Sequence, residues 1–213
     1  MTKQEVVAII DRSGSMHGKV SDAVGGINAS VDELKKNKND DDEILFSLKI
    51  FDHHQNLLIR HKNITDVKKL KETDIVPRGQ TALYDAIYSS LVYFMEKKLK
   101  DPTSFDSCIF YVATDGLENA STITSEKLKD MVTAAAKPIY NISILYLGSN
   151  QDSIEEAQKM GINEGQAINY SEETENVESV YRGVARVISD TRTKGCPVDF
   201  TETERINSQN NMI

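Results

Sequence analysis

No stretch of this 213-residue chain is apolar and long enough to span a bilayer as a helix. The longest run without a charged side chain, Pro138 to Gln151, carries Asn141, Ser143 and Asn150 and falls short of the roughly 20 apolar residues required. No secretory leader is expected. Val6 to Ile10, after Glu5, is only a strand-length run with no basic segment before it and no small-residue cleavage pattern after it. The expectation is a protein that stays where it is made. Cysteine is scarce, with Cys108 inside an apolar run and Cys196 next to Pro197, so no disulfide framework is expected and a cytoplasmic location fits best.

Positive charge is in deficit. There are 25 Lys and Arg against 33 Asp and Glu, a formal charge of -8, and the lysines sit among acids rather than in a stripe. Nucleic acid and anionic membrane surfaces are therefore not expected partners. The chain also lacks a G-x-G-x-x-G turn and a G-x-x-x-x-G-K-[ST] loop, and Gly25-Gly26 falls inside a helical pattern, so nucleotide binding has no motif to rest on. Ser13 and Ser15 lack a G-x-S-x-G elbow, which removes the usual serine hydrolase. The four histidines are 17, 53, 54 and 61; His53 and His54 would point to opposite faces of an extended chain and make a poor zinc pair.

What is present is an alternation of strand-length apolar runs with segments of helical period. Val6 to Ile10 and Ser107 to Ala113 are continuous apolar runs, the mark of strands covered on both faces. Ile44 to Phe51 and Gln55 to Ile64 are close enough to form a hairpin, and Ile139 to Leu147 and Ala167 to Tyr170 complete six strands. Helical spacing recurs at Val20, Val24, Ile27, Val31 and Leu34, again from Leu83 to Met95, over Ser125 to Ala136 and Ser153 to Met160, and from Val177 to Ile188. One further helical turn is expected at Val67 to Leu70. These units predict an α/β fold, a Rossmann-like three-layer α/β/α arrangement whose six-stranded, mostly parallel sheet carries one short antiparallel edge strand. Residues 1–190 form the expected domain; 191–213, poor in apolar residues, is expected to be a peripheral or disordered tail.

Ligands of such sheets bind beyond the carboxyl ends of the strands, near the point where strand order reverses. Three loops at that end carry small oxygen-bearing side chains: Asp11-Arg12-Ser13-Gly14-Ser15-Met16, Gly79-Gln80-Thr81 and Thr114-Asp115-Gly116. Two carboxylates and three hydroxyls form a suitable set for a hard divalent cation, which prefers oxygen. Only two of the five carry charge, so a bound cation keeps the capacity to attract one more anionic oxygen.

Asp11-x-Ser13-x-Ser15, with Thr81 in a Gly-x-Thr loop and Asp115-Gly116 after a buried strand, resembles the metal-ion-dependent adhesion site (MIDAS) of a von Willebrand factor type A (VWA) domain. The resemblance extends over residues 3 to 190 in element order. It implies that Ser13, Ser15 and Thr81 contact Mg²⁺ or Mn²⁺, that Asp11 and Asp115 hold it directly or through water, and that a Glu or Asp of a partner protein fills the open position. It implies an interaction module and not an enzyme. Asp85 could orient a ligand or serve as a first-turn helix acid, the latter favoured; Glu118 and Asn119 could line the rim, and Met16 and His17 could touch a partner.

The enzymatic alternative is a Mg²⁺-dependent phosphoryl-transfer hydrolase using Asp11. That chemistry typically places a second acid two residues later, and position 13 is Ser.

Overall fold

The computed structural model describes residues 2–149, 153–171 and 174–209. Six strands form one sheet in the order β3-β2-β1-β4-β5-β6. The strands are β1 (Lys3–Asp11), β2 (Glu43–Phe51), β3 (Gln55–Asn63), β4 (Ser107–Thr114), β5 (Ile142–Gly148) and β6 (Ala167–Asn169). All neighbours are parallel except β2 and β3, which pair antiparallel across a tight turn. The antiparallel edge strand is nine residues long rather than short. The short edge is the parallel strand β6, with three residues.

β1 and β4 are buried along nearly their whole length, which is why their sequences read as unbroken apolar runs. Their side chains alternate between two cores. Val6, Ala8 and Ile10 of β1 face α1 (Val20–Lys36) and α5 (Thr174–Lys194), packing with Val24, Ile27, Val180 and Val184. Val7 and Ile9 face the opposite layer, built from α2 (Leu83–Lys100), α3 (Ser125–Ala135) and α4 (Ser153–Lys159), among Ile87, Leu91, Leu128 and Ala157. α1 and α5 approach closely at Gly26, where a Cβ would lie 2.3 Å from the Tyr181 ring. The last turns of α1 and α2 carry Lys35, Lys36, Lys97, Lys98 and Lys100, cations placed against the negative ends of the helix dipoles.

One local expectation is corrected. No helical turn forms at Val67 to Leu70; short 3-10 turns form on either side, Ile64–Asp66 and Glu72–Asp74, while the intervening chain lays Val67 and Leu70 against the α1 side of the core. The segment expected as a peripheral or disordered tail lies packed against the fold over its described part. α5 continues to Lys194, Phe200 is 5% exposed, and α6 (Glu202–Asn207) ends at the buried Ser208. Residues 210–213 lie outside the described residues. The anchorage is mostly polar, which explains why an apolar pattern missed it. Arg186 of α5 binds Glu204, Arg205 donates to the main-chain oxygens of Glu164, Gly165 and Ala167, and Ser208 Oγ donates to Asn169 O at 2.6 Å. Together these contacts fasten the last segment to the β6 edge.

Among the described residues, no helix is long and apolar enough to cross a membrane.

Candidate metal centre

β1 sits between β2 and β4, so the chain leaves the sheet in opposite directions from this point and a crevice opens at the carboxyl ends of β1 and β4. Asp11 ends β1 and Thr114 ends β4. The loop after Asp11 turns back through a short 3-10 segment, Gly14–Met16, into α1. Asp11 shapes that turn itself: its Oδ1 accepts from the Ser13 main-chain N–H at 2.6 Å. The other oxygen, Oδ2, accepts from the Thr114 hydroxyl at 2.7 Å.

The hydroxyls follow from these anchors. Ser13 Oγ and Ser15 Oγ are 3.0 Å apart, and Ser15 Oγ donates to Asp115 Oδ1 at 2.7 Å. Alternate side chains of one tight turn therefore point to one place. Thr81 is buried, and it is held from both sides of its peptide: Asn119 Oδ1 accepts from Thr81 N at 3.0 Å, and Thr81 O accepts from Asn119 N at 3.0 Å. The glycine between these groups marks where they meet. A Cβ on Gly116 would lie 3.3 Å from Ser15 Oγ, 3.3 Å from Thr81 Oγ1 and 3.9 Å from Asp11 Oδ2. Asp11, Ser15 and Thr81 thus gather beside Gly116, where the lack of a side chain leaves a small hollow, and Ser13 and Asp115 join them through Ser15.

Electrostatics at this hollow are those of two carboxylates crowded together. Burial raises the Asp11 carboxyl above its ordinary range, hydrogen bonds from Thr114 and Ser13 oppose that rise, and the charge of Asp115 adds to it. Asp115 has a cationic neighbour as well: Lys19 Nζ donates to its Oδ2 at 2.7 Å. Among the described residues, no three His, Cys, Asp or Glu side chains group as a metal set. A cation here would depend on serine and threonine oxygens for the rest of its shell. That donor chemistry, hard and oxygen-only, fits Mg²⁺ or Mn²⁺.

A ring of buried and main-chain contacts holds the loops in register. Asp52, in the β2–β3 turn, receives Arg78 Nε at 2.9 Å and lies 3.1 Å from Arg12 Nε. Burial alone would raise its carboxyl, but the Arg78 hydrogen bond, the His54 N–H and the Arg12 charge outweigh that and hold it below the usual carboxylate range. Arg12 N donates to Phe51 O, Arg78 N to Arg12 O, and Gly14 N to Gly79 O. Gly79 adopts φ +71°, and a Cβ there would strike the His53 ring, so this loop requires glycine on both counts.

Asp85 takes the structural role. Its carboxylate accepts from Thr122 N and Ile123 N, clamping the 116–123 loop to the first turn of α2. Glu118 does likewise, accepting from Tyr84 N, Ala120 N and Ser121 N, so neither it nor Asn119 is spare rim polarity. Met16 is 4% exposed and is not available to a partner; His17 is exposed. Sequence reasoning missed Thr114 and Lys19 as participants. The only signal for Lys19 was its place four residues after Ser15.

Comparison with known proteins bears on the fold. No family model and no curated protein matches the sequence. Solved structures do match. A von Willebrand factor type A protein from Catenulispora acidiphila superposes with a TM-score of 0.65 at 15% identity, over 88% of this chain and 43% of that one. Proximal thread matrix protein 1 from the mussel byssus, with a zinc-occupied MIDAS motif, gives 0.66 at 15% identity, over 88% of this chain and 48% of its own. The ArnB paralog VWA2 from Sulfolobus acidocaldarius gives 0.56 at 15% identity, over 90% and 46%. The chain therefore spans less than half of each of these proteins. It has the fold of a von Willebrand factor type A domain.

Proposed function

From a VWA fold with this cluster at its switch point, we propose that the chain is a non-catalytic interaction module that binds Mg²⁺ or Mn²⁺ and docks an acidic residue of a partner protein. The observation that carries the reading is the meeting of Asp11, Ser13, Ser15, Thr81 and Asp115, from three distant segments, in one linked cluster beside Gly116. Ser13, Ser15 and Thr81 would offer neutral hydroxyl oxygens; Asp11 and Asp115 would offer the charge. When bound, the ion supplies Lewis acidity toward one further anionic oxygen, and a Glu or Asp side chain is the protein group that matches it. The zinc-occupied MIDAS motif of the mussel protein supports divalent binding in this fold. The buried Cys108 and exposed Cys196 are both free thiols, which favours a reducing compartment such as the cytoplasm.

The local chain also serves binding better than phosphoryl transfer. Ser13 stands where a proton-donating acid would be needed, and both oxygens of Asp11 already accept hydrogen bonds from Ser13 N and Thr114.

Calorimetry with Mg²⁺ and Mn²⁺ tests the first half: wild type binds, and Asp11→Ala and Thr81→Ala lose at least about tenfold in affinity, as expected when one donor of a small set is removed. Equal binding in all three would end the metal reading. Capture of a partner that is released by EDTA and abolished by Thr81→Ala tests the second half; capture indifferent to both would place the interaction on another surface.

A further inference from the structure

On the side of the sheet away from α1 and α5, the register sets Ser47 and Lys49 of β2 beside the buried Val7 and Ile9 of β1. Two polar residues thus occupy a face that the next strand fills with apolar ones. The helix above is polar here as well: Ser89 and Ser90 of α2 line the gap, and their short side chains leave it unfilled. The result is a cavity of about 300 Å³, with Leu57, Arg60 and His61 of the edge strand β3 in its outer wall.

Charge in this cavity has one sign. Lys49 and Arg60 line it, and among the described residues no Asp or Glu does. Lys49 Nζ donates to Gln55 Oε1 and Ser89 Oγ at 3.0 Å each and to Ala86 O at 3.3 Å, all of them neutral acceptors. Burial without a counter-charge pulls its ammonium down to about 8. Arg60 is exposed, and among the described residues its guanidinium has no ion pair. Glu5, the acid bonded to His61, does not fill that role: it is buried and already matched, with His61 Nδ1 at 3.0 Å from Oε2 and Lys97 Nζ on Oε1.

We propose that this cavity is a second binding site, separate from the metal centre, for a small carboxylic acid with an apolar or aromatic body. Lys49 receives the carboxylate, and Arg60 adds a second positive charge to the wall. A charge-assisted bond is about twice as strong as one between neutral groups, so a carboxylate displaces the amide oxygen of Gln55 from Lys49. Gln55 is exposed at the first position of β3 and can turn to solvent. Its departure also releases the Ser89 hydroxyl, which donates to Gln55 Oε1 at 2.6 Å, as a further donor to the ligand. The rest of the ligand lies against Val7, Leu57 and the rings of Tyr93 and Phe94. A bare inorganic anion would leave that apolar wall unused, and a volume at the lower end of ligand cavities suits one ring or a short chain.

Benzoate is the probe, titrated in the presence of EDTA so that no cation draws it to the metal centre, and followed by amide chemical shifts. Saturable shifts centred on His61, Ser89 and Tyr93 are expected, with a Kd of about 1 mM or tighter. Acetate and benzyl alcohol, each carrying one half of the ligand's chemistry, should bind at least about tenfold more weakly. Lys49→Met should lose at least about tenfold in benzoate affinity, and Arg60→Gln several-fold. Absence of saturable shifts at these residues up to about 10 mM benzoate overturns the proposal, as does equal benzoate binding by Lys49→Met. Benzyl alcohol binding as tightly as benzoate overturns it too, because the cavity would then have no preference for an anion. Should Lys49→Met fold poorly, Arg60→Gln and the comparison of the three probes on wild type decide the matter. No metal enters the experiment, so its outcome is independent of the metal reading.

Discussion

The Thr114 hydroxyl donates to Asp11 Oδ2 at 2.7 Å, joining the last residues of β1 and β4 at the floor of the hollow. Both side chains are buried, so the bond has no water to replace it. Thr114→Val keeps the shape and removes the donor, leaving a buried carboxylate oxygen short of a partner. Urea denaturation should show a loss of about 1–3 kcal/mol. Mn²⁺ at saturating concentration should raise the stability of both proteins, because a ligand that binds only the folded chain adds its own stabilisation.

Gly116→Ala separates the site from the fold. The added methyl would meet Ser15 Oγ and Thr81 Oγ1 at 3.3 Å each, a distance that asks both hydroxyls to give way by a few tenths of an ångström. Gly116 does not have a left-handed backbone, so alanine brings no conformational strain there. The expected outcome is a melting temperature within a few degrees of wild type, with a change in stability of about 1 kcal/mol or less. Mn²⁺ affinity measured on the same sample should fall at least about tenfold, since the hollow is filled.

Asp85→Ala tests the clamp on the 116–123 loop. The substitution leaves the main-chain N–H groups of Thr122 and Ile123 without their acceptor. Stability should fall by about 1–2 kcal/mol, in the range of a lost cap. Limited proteolysis should cut within residues 116–123 faster than in wild type. Asp85→Asn, which keeps an acceptor oxygen, should recover most of the protection.

Glu204 gives a prediction in pH. Burial alone would raise its carboxyl, but hydrogen bonds from Arg186 and from the Thr201 N–H and hydroxyl outweigh that and hold it below its usual 4.5. A folded-state value below the unfolded one means stability that is present above pH 4.5 and lost as pH falls through the folded value. Glu204→Gln should therefore be less stable than wild type at pH 7, by about 1–2 kcal/mol for charge-assisted bonds that are partly exposed. The two proteins should converge in denaturation experiments as pH falls below 4.5 and through the folded-state value.

The sheet and the Asp11-x-Ser13-x-Ser15 turn were legible because each rests on a local pattern. Val6 to Ile10 and Ser107 to Ala113 declare buried strands through composition alone, and Asp11, Ser13 and Ser15 lie two residues apart in one turn. What stayed hidden depends on pairs far apart in sequence. Lys19 and Asp115 are separated by 96 positions, and Asp85 meets Thr122 across 37. Nothing in the local composition around either acid announces its partner. The packing of the last segment was hidden for another reason: apart from Phe200 it is held by Arg186, Arg205 and Ser208, and hydrophobic periodicity is blind to such contacts.

β1 is hydrogen-bonded along both edges, to β2 from Lys3 to Asp11 and to β4 from Gln4 to Ile10. Its amides can exchange with solvent only when the centre of the sheet opens, so they should be among the slowest in the molecule. The loop that starts at Arg12 lies outside that two-sided ladder and is held by single bonds, such as Arg12 N to Phe51 O and Gly14 N to Gly79 O, and the boundary between the two regimes falls at Asp11. An ion gripped there would be tethered at one end to the most persistent part of the chain and at the other to a loop held by single bonds. Deuterium uptake by residues 12–18, followed with and without Mn²⁺, would then record each binding event against an unchanging β1 as internal clock.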